Sequence, residues 1–249
     1  MIGEYGLSFI SDKDLYHHVK ETVDKYRFAI NLKKFNKNLI DPIKLTFDSK
    51  IYQKSIEEII ESEIIRQIDK SNTNHIGYFH QNIFKYIDNG WVVPSSGFDL
   101  INERKKIYVE MKNKHNTMNS SSAQKTYIMM QNEILKGADI TCMLVEVIAK
   151  NSQNLPWKIS INGQQFNHDN IRRVSIDKFY ALVTGEKEAF KNLCEVLPSV
   201  LDDVIKNQDE ARIKNSVFEE LQEISSDRLL KSIYLLSFEK YDGFNTLRL

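Results

Sequence analysis

Two periodicities divide this chain. Over residues 53–69, Ile56, Ile60, Ile64 and Ile68 recur every fourth position with Ile59 and Ile65 beside them, which predicts a helix with one apolar stripe. Its acids, Glu57, Glu58, Glu61 and Glu63, then form a solvated face. Over residues 106–112, Ile107, Val109 and Met111 alternate with polar neighbours, the two-residue period of a strand. Residues 97–102 supply a partner strand close enough in sequence for a hairpin.

Punctuation extends the prediction in both directions. Asp12 is placed to cap a first helix reaching about residue 34, and a third helix over residues 77–87 stops at Asn89-Gly90. Residues 91–93 begin the sheet. Ser121 or Ser122 caps a helix running to about residue 136, with Gly137 as its stop, and residues 140–148 read as a buried strand. Strand, helix and strand in that order imply a right-handed crossover and parallel pairing, so the hairpin joins a mixed sheet. Residues 159–161 and 171–176 are further strands around Asn162-Gly163. Residues 186–196 and 199–206 read as helices broken by Pro198, and residues 209–239 as two helices meeting near Ser225-Ser226. The expected architecture is α/β: one domain over residues 1–249, with a helical part to residue 75, a core over 76–185 and a helical part beyond.

Composition narrows the class. With 34 basic and 34 acidic residues and 41% hydrophobic content, the chain can bury a substantial core but does not coat nucleic acid indiscriminately. The two cysteines, Cys142 and Cys194, suit a reduced intracellular protein in which each packs as a small apolar residue. No run of eighteen apolar residues and no signal-peptide core are present, so neither membrane insertion nor secretion is expected, and cytoplasm is the default.

The hairpin carries the candidate chemistry. Folding about the Arg104–Lys105 midpoint sets Asp99 opposite Glu110, Phe98 opposite Met111, Leu100 opposite Val109 and Asn102 opposite Ile107. One face is then largely apolar, and Asp99, Tyr108, Glu110 and Lys112 share the other. Like charges directly across a ladder cost up to ~1 kcal/mol, a penalty that a cation between them removes. Two carboxylates, with water and phosphate oxygens completing an octahedron, favour Mg²⁺ over zinc. The same pattern also describes an ordinary solvated strand face with a surface ion pair. The turn Glu103-Arg104-Lys105-Lys106 lacks Gly or Asn, so a wider loop is expected.

A polar loop over residues 113–122 follows directly. Between Glu103 and Lys125 six basic residues outnumber two acids, a positive segment suited to tracking phosphates. Lys114, His115, Asn116, Asn119, Ser120 and Ser121 can donate to phosphate oxygens or read base edges, and Gln124 and Lys125 can bind phosphate at the first turn of the next helix. Arg172 and Arg173 point to opposite faces of a strand, so at most one faces a ligand. An ion pair with Asp169 or Asp177 is the alternative for either. His80 is as much a packing residue as a phosphate contact, and Gln81 is placed to support the site.

These residues resemble a known family. Asp99 with Glu110-Met111-Lys112 resembles the signature of the PD-(D/E)XK nucleases, with Phe98 where the name-giving proline stands. The longer string, from Gly97-Phe98-Asp99 through Glu110 to Ser122, is similar to type II restriction endonucleases that cut GGNCC or GGWCC sites. Similarity extends from about Gly77 to the Leu197-Pro198 region. The first seventy residues and the last forty or so match no motif. The resemblance implies a restriction-endonuclease-like fold and Mg²⁺, with Mn²⁺ able to substitute, held by Asp99 and Glu110 beside the scissile phosphate. It also implies Lys112 orienting the attacking water, double-stranded DNA as substrate and a homodimer on palindromic sites. A structure-selective repair or junction nuclease, and a non-catalytic DNA-binding module, remain as rivals.

Overall fold

The predicted hairpin forms the edge of a five-stranded sheet. The structure, a computed structural model, describes residues 3–88, 90–206, 215–225 and 228–238. In chain order its elements are α1 (Asp12–Val23), α2 (Leu32–Asn36), α3 (Pro42–Tyr52), α4 (Ile56–Asn82), α5 (Phe84–Ile87), β1 (Leu100–Asn102), β2 (Ile107–Lys114), α6 (Ser120–Ile134) and β3 (Thr141–Ile148). There follow β4 (Asn154–Pro156), β5 (Ile159–Ile161), β6 (Gln164–Phe166), β7 (Ile171–Ser175), α7 (Ile176–Thr184), α8 (Ala189–Ile205), α9 (Val217–Ile224) and α10 (Leu229–Phe238). They group into two compact units, the first drawn from Met1–Asp24 and His75–Gln208, the second from Lys25–Asn74 and Asp209–Leu249. The first helix and α8 therefore belong with the sheet, a grouping that differs from the boundaries at 75 and 186 expected from sequence.

The first unit is built around the sheet order β1-β2-β3-β7-β4, with β5 and β6 as a separate two-stranded ribbon. β1 runs antiparallel to β2, whereas β2, β3 and β7 are mutually parallel, as the strand–helix–strand reading requires. Alternation splits the sheet's side chains between two apolar layers. Val109, Met111, Met143, Val145 and Val174 pack with Leu15, Val19, Phe179, Tyr180 and Leu193 of α1, α7 and α8. Cys142, Leu144 and Ile171 pack with Tyr127 and Met130 of α6. Both faces are thus covered, and the face carrying Tyr108, Glu110 and Lys112 is not a solvated one.

The register of the hairpin follows prediction from Leu100 to Asn102, with Leu100 paired to Val109 and Asn102 to Ile107. Beyond Leu100 the ladder gives way. Asp99 N donates to Val109 O at 3.0 Å, and the Asp99 carboxylate accepts Met111 N at 2.8 Å where a strand carbonyl would stand. Gly97, at φ +90°, turns the chain before that point. Phe98 consequently leaves the alternation and packs on Tyr108 in the α6 layer, ring centroids 5.4 Å apart, not beside Met111. At the other end Asn102 Oδ1 accepts Lys105 N at 2.9 Å and Lys106 takes φ +53°, a side-chain-closed turn that needs no glycine.

Several helix boundaries differ from the prediction for local reasons. Ser11, not Asp12, caps α1, accepting Asp14 N at 3.1 Å, and that helix ends at Val23 instead of reaching residue 34. The two helices expected over 53–69 and 77–87 are largely one, α4, followed by the short α5. Asn72 bonds both backbone groups of Arg27, at 2.9 and 3.0 Å, so its amide does not compete with its own helix. α6 is capped by Asn119, whose Oδ1 accepts Ser122 N at 2.8 Å. Pro198 lies inside α8, because the buried stripe of Ala189, Leu193, Val200 and Val204 holds the helix together across it. α2, α3, α7, β4 and β6 are additions to the sequence reading. Trp91–Val93 contributes only a bridge from Val92 to Ile101. Asn89, Ser226 and the start and end of the segment expected over 209–239 lie outside the described residues.

The second unit closes a separate core of Ile30, Phe35, Ile40, Leu45, Ile59, Ile60, Ile64, Val217, Leu221 and Ile233. Both cysteines are free. Cys142 is buried, its thiol pushed up to about 12 by burial, whereas Cys194 is exposed and does not pack as expected. Among the described residues no helix is long and apolar enough to cross a membrane.

Candidate active site

Position along β2 arranges the predicted triad. Glu110 and Lys112 are two residues apart, so both project to the α6 side, and Lys112 Nζ donates to Glu110 Oε1 at 2.5 Å. Asp99 is anchored at the mouth of the hairpin by its bond from Met111 N. Burial, opposed by Lys112 and reinforced by the negative charge of Asp99, holds the Glu110 carboxyl above the usual range. The side chain retains 14% exposure. Glu110, largely desolvated and with the charge of Asp99 opposing its ionisation, forms with Asp99 an oxygen-donor pair that a hard divalent cation would stabilise. The three groups predicted to act together are therefore brought together. Among the described residues no cluster of three or more His, Cys, Asp or Glu suited to a metal is present.

Glu146 was not anticipated from sequence. In the parallel register it stands beside Lys112, on the same face, and it is fully buried. Arg173 Nε and Nη2 both donate to its Oε1, the former at 3.0 Å, and His115 Nδ1 lies 3.1 Å from its Oε2. Arg173 Nη2 also reaches His115 O at 3.4 Å. The only sequence signal was an acid inside the apolar run Met143-Leu144-Val145-Glu146-Val147, since a charge in a buried strand requires a partner. Arg173 thus pairs with Glu146 and with neither Asp169 nor Asp177.

A cavity of about 510 Å³ opens beside this pair, lined by His115, Asn116, Asn119, Ser120, Trp157 and Arg173 among others. The Arg173 guanidinium lies 6.0 Å from the Trp157 ring. Its Nη1 makes no hydrogen bond among the described residues and is available to a ligand. Arg172 is placed differently. Its guanidinium bonds Asn154 Oδ1, Asn154 O and Asp169 O, which ties β4 to β7 on the opposite face. The remaining sequence candidates divide in the same way. Asn119 is engaged as the α6 cap, and Gln124 Nε2 donates to Ser160 O at 3.1 Å. Lys114, Asn116, Ser120, Ser121 and Lys125 are exposed.

The positive segment is also divided by the fold. At the turn end of the hairpin Arg104 and Lys105 pair with Asp88, and Lys106 pairs with Asp139. At the loop end Lys114 and Lys125 make no ion pair among the described residues. Gln81 lies on α4 one turn beyond Gly77, where a Cβ would sit 3.5 Å from the Asn113 side chain, and its side chain makes no hydrogen bond among the described residues.

His80 packs. It meets Phe79 edge-on, and burial, with His18 as a second cause, pushes its imidazole down to about 4. Between 6.5 and about 4 the unfolded chain gains a proton that the folded chain does not. Stability should fall as pH drops through that window, by on the order of 3 kcal/mol in total. Urea titrations of wild type and His80→Phe at several pH values test this. A wild-type midpoint no more acid-sensitive than the variant's would refute it.

The comparisons with known proteins follow the geometry. The family profile described as Eco47II restriction endonuclease matches residues 7–206. The type II restriction enzyme Sau96I of Staphylococcus aureus is 34% identical over 214 residues, covering 81% of this chain and 82% of its own length. The type II restriction enzyme Eco47II of Escherichia coli is 30% identical over 215 residues, covering 81% and 89% respectively. No solved structure gives a significant match.

Proposed function

Because this chain belongs to the Eco47II restriction endonuclease family and is a type II site-specific deoxyribonuclease, we propose that Asp99, Glu110 and Lys112 form its catalytic centre. The observation that carries this reading is the Glu110–Lys112 ion pair held beside Asp99. Asp99 and Glu110 would hold Mg²⁺, with Mn²⁺ as a substitute. When bound, the cation supplies positive charge to the phosphoryl oxygens as negative charge develops there.

The chain's own groups do the positioning. Met111 N fixes the Asp99 carboxylate through Oδ2 and leaves Oδ1 outside that bond. Lys112 Nζ orients a water for attack on phosphorus, and its location on a strand between two covered layers limits its motion. Arg173, held by Glu146, offers Nη1 to DNA at the cavity, joined there by His115 and Asn116. Lys114, Ser120, Ser121 and Lys125 contact backbone phosphates, with Gln81 as support from α4. Asn119 and Gln124 act there through the α6 start that they hold in place.

The substrate is double-stranded DNA, cut at a short GC-rich palindrome of the form GGNCC or GGWCC. A two-fold dimer in the cytoplasm would place one such centre on each strand. Sequencing fragment ends from a plasmid digested in Mg²⁺ tests the reading. Discrete ends within GGNCC or GGWCC are expected, and no cutting in EDTA. Cutting confined to branched or damaged duplexes, or at unrelated strings, would overturn the specificity proposed.

A further inference from the structure

Between Lys25 and Ile40 the chain carries Lys25, Arg27, Lys33, Lys34 and Lys37 and no acid, a concentration of charge in a protein that is neutral as a whole. The fold keeps these groups outward. Phe35 turns fully into the second unit's core while Lys33, Lys34 and Lys37 stay exposed. Within this unit a cavity of about 330 Å³ is lined by Arg27, Lys34, Lys37 and Lys70, with side-chain amides beside them and no acidic residue.

The frame beneath those cations is rigid and polar. Gln67, 6% exposed, donates to Phe35 O at 3.1 Å and accepts Asn38 Nδ2 at 3.1 Å. Asn72 fixes the backbone of Arg27 to α4 through two bonds. Two other cations of the unit are neutralised, Lys44 by Asp48 and Arg66 by Glu63. Arg27, Lys34, Lys37 and Lys70 make no ion pair among the described residues. Four unneutralised charges fixed around one concavity repel each other unless an anion lies among them.

We propose that this surface of the helical unit binds the sugar–phosphate backbone of DNA, as a sequence-independent anchor separate from the catalytic centre. The inference rests on the deoxyribonuclease reading for its partner. Four exposed, dispersed cations suit successive phosphates of a strand better than one buried anion, and amide donors at the cavity wall complement phosphate oxygens. Such contacts release counterions and carry no base information.

The test uses the full chain. Arg27→Ala/Lys34→Ala/Lys37→Ala/Lys70→Ala is compared with wild type and with the charge-keeping set Arg27→Lys/Lys34→Arg/Lys37→Arg/Lys70→Arg. Kd for a duplex containing the cut site is measured in Ca²⁺ over a range of salt. The alanine set should weaken binding by at least ~10-fold and flatten the log Kd against log salt slope by about 0.9 per phosphate lost, with the cut position unmoved. The charge-keeping set should restore both. Discrete wild-type cutting in the same preparation establishes the parent reading separately. Given that, alanine-variant binding with the wild-type Kd and slope overturns the anchor. Thermal melting checks the fold, and Lys34→Gln/Lys37→Gln carries the same comparison if the larger set melts early.

Discussion

Removing the amine of Lys112 should lower the single-turnover cleavage rate by about 10²- to 10⁴-fold, the range for loss of a positioned proton-transfer group, while DNA binding in Ca²⁺ persists. Lys112→Ala also removes the hydrogen bond that lowers the Glu110 pKa, leaving burial and Asp99 unopposed. Since Glu110 must be ionised to bind a cation, the acidic limb of the pH–rate profile should move to higher pH in this variant. Lys112→Arg keeps a charge near Glu110 and should hold that limb close to the wild-type position without recovering the full rate. Glu110→Ala should abolish cleavage outright. A purified Lys112→Ala or Glu110→Ala enzyme with wild-type activity would remove the hairpin from the mechanism.

Truncating Glu146 should be the most damaging single change at the cavity. Its carboxylate is fully buried between Arg173 and His115, and breaking a buried pair from one side typically costs 3–5 kcal/mol, roughly, because the other charge is left uncompensated. Glu146→Ala should therefore lower the urea midpoint and also weaken DNA binding, because Arg173 loses the partner that aims it. Glu146→Gln keeps the shape and should be milder. Combining Glu146→Gln with Arg173→Gln should cost less than the sum of the single changes, with a coupling of about 0.5–3 kcal/mol in stability. Strict additivity would show that the two side chains do not act as a unit.

The hairpin and its register were legible because they depend on residues near one another in sequence. Alternation at Ile107, Val109 and Met111 set the pairing with Leu100–Asn102 and with it the face shared by Glu110 and Lys112, whereas the expected pairing of Asp99 with Glu110 lies beyond the ladder. The crossover through α6 was legible for the same reason. Phe98 escaped the reading because the side chain of Asp99 replaces a ladder carbonyl, an event that alternation does not encode. α4 was read as two helices because the isoleucine stripe ends at Ile68, and α8 as broken because Pro198 argues locally for a break; packing from elsewhere overrules both.

The same distinction separates the parts of the site. Sequence alone determined the hairpin that carries the proposed centre, the parallel crossover and the positive loop, since period, spacing and charge act over a few residues. The tertiary structure decided which charges remain available: Asp88 and Asp139 neutralise the turn cations, Glu146 claims Arg173, and Arg172 is consumed by β4. Those outcomes depend on pairings between segments distant along the chain, where burial makes an unpaired charge costly and so dictates its partner.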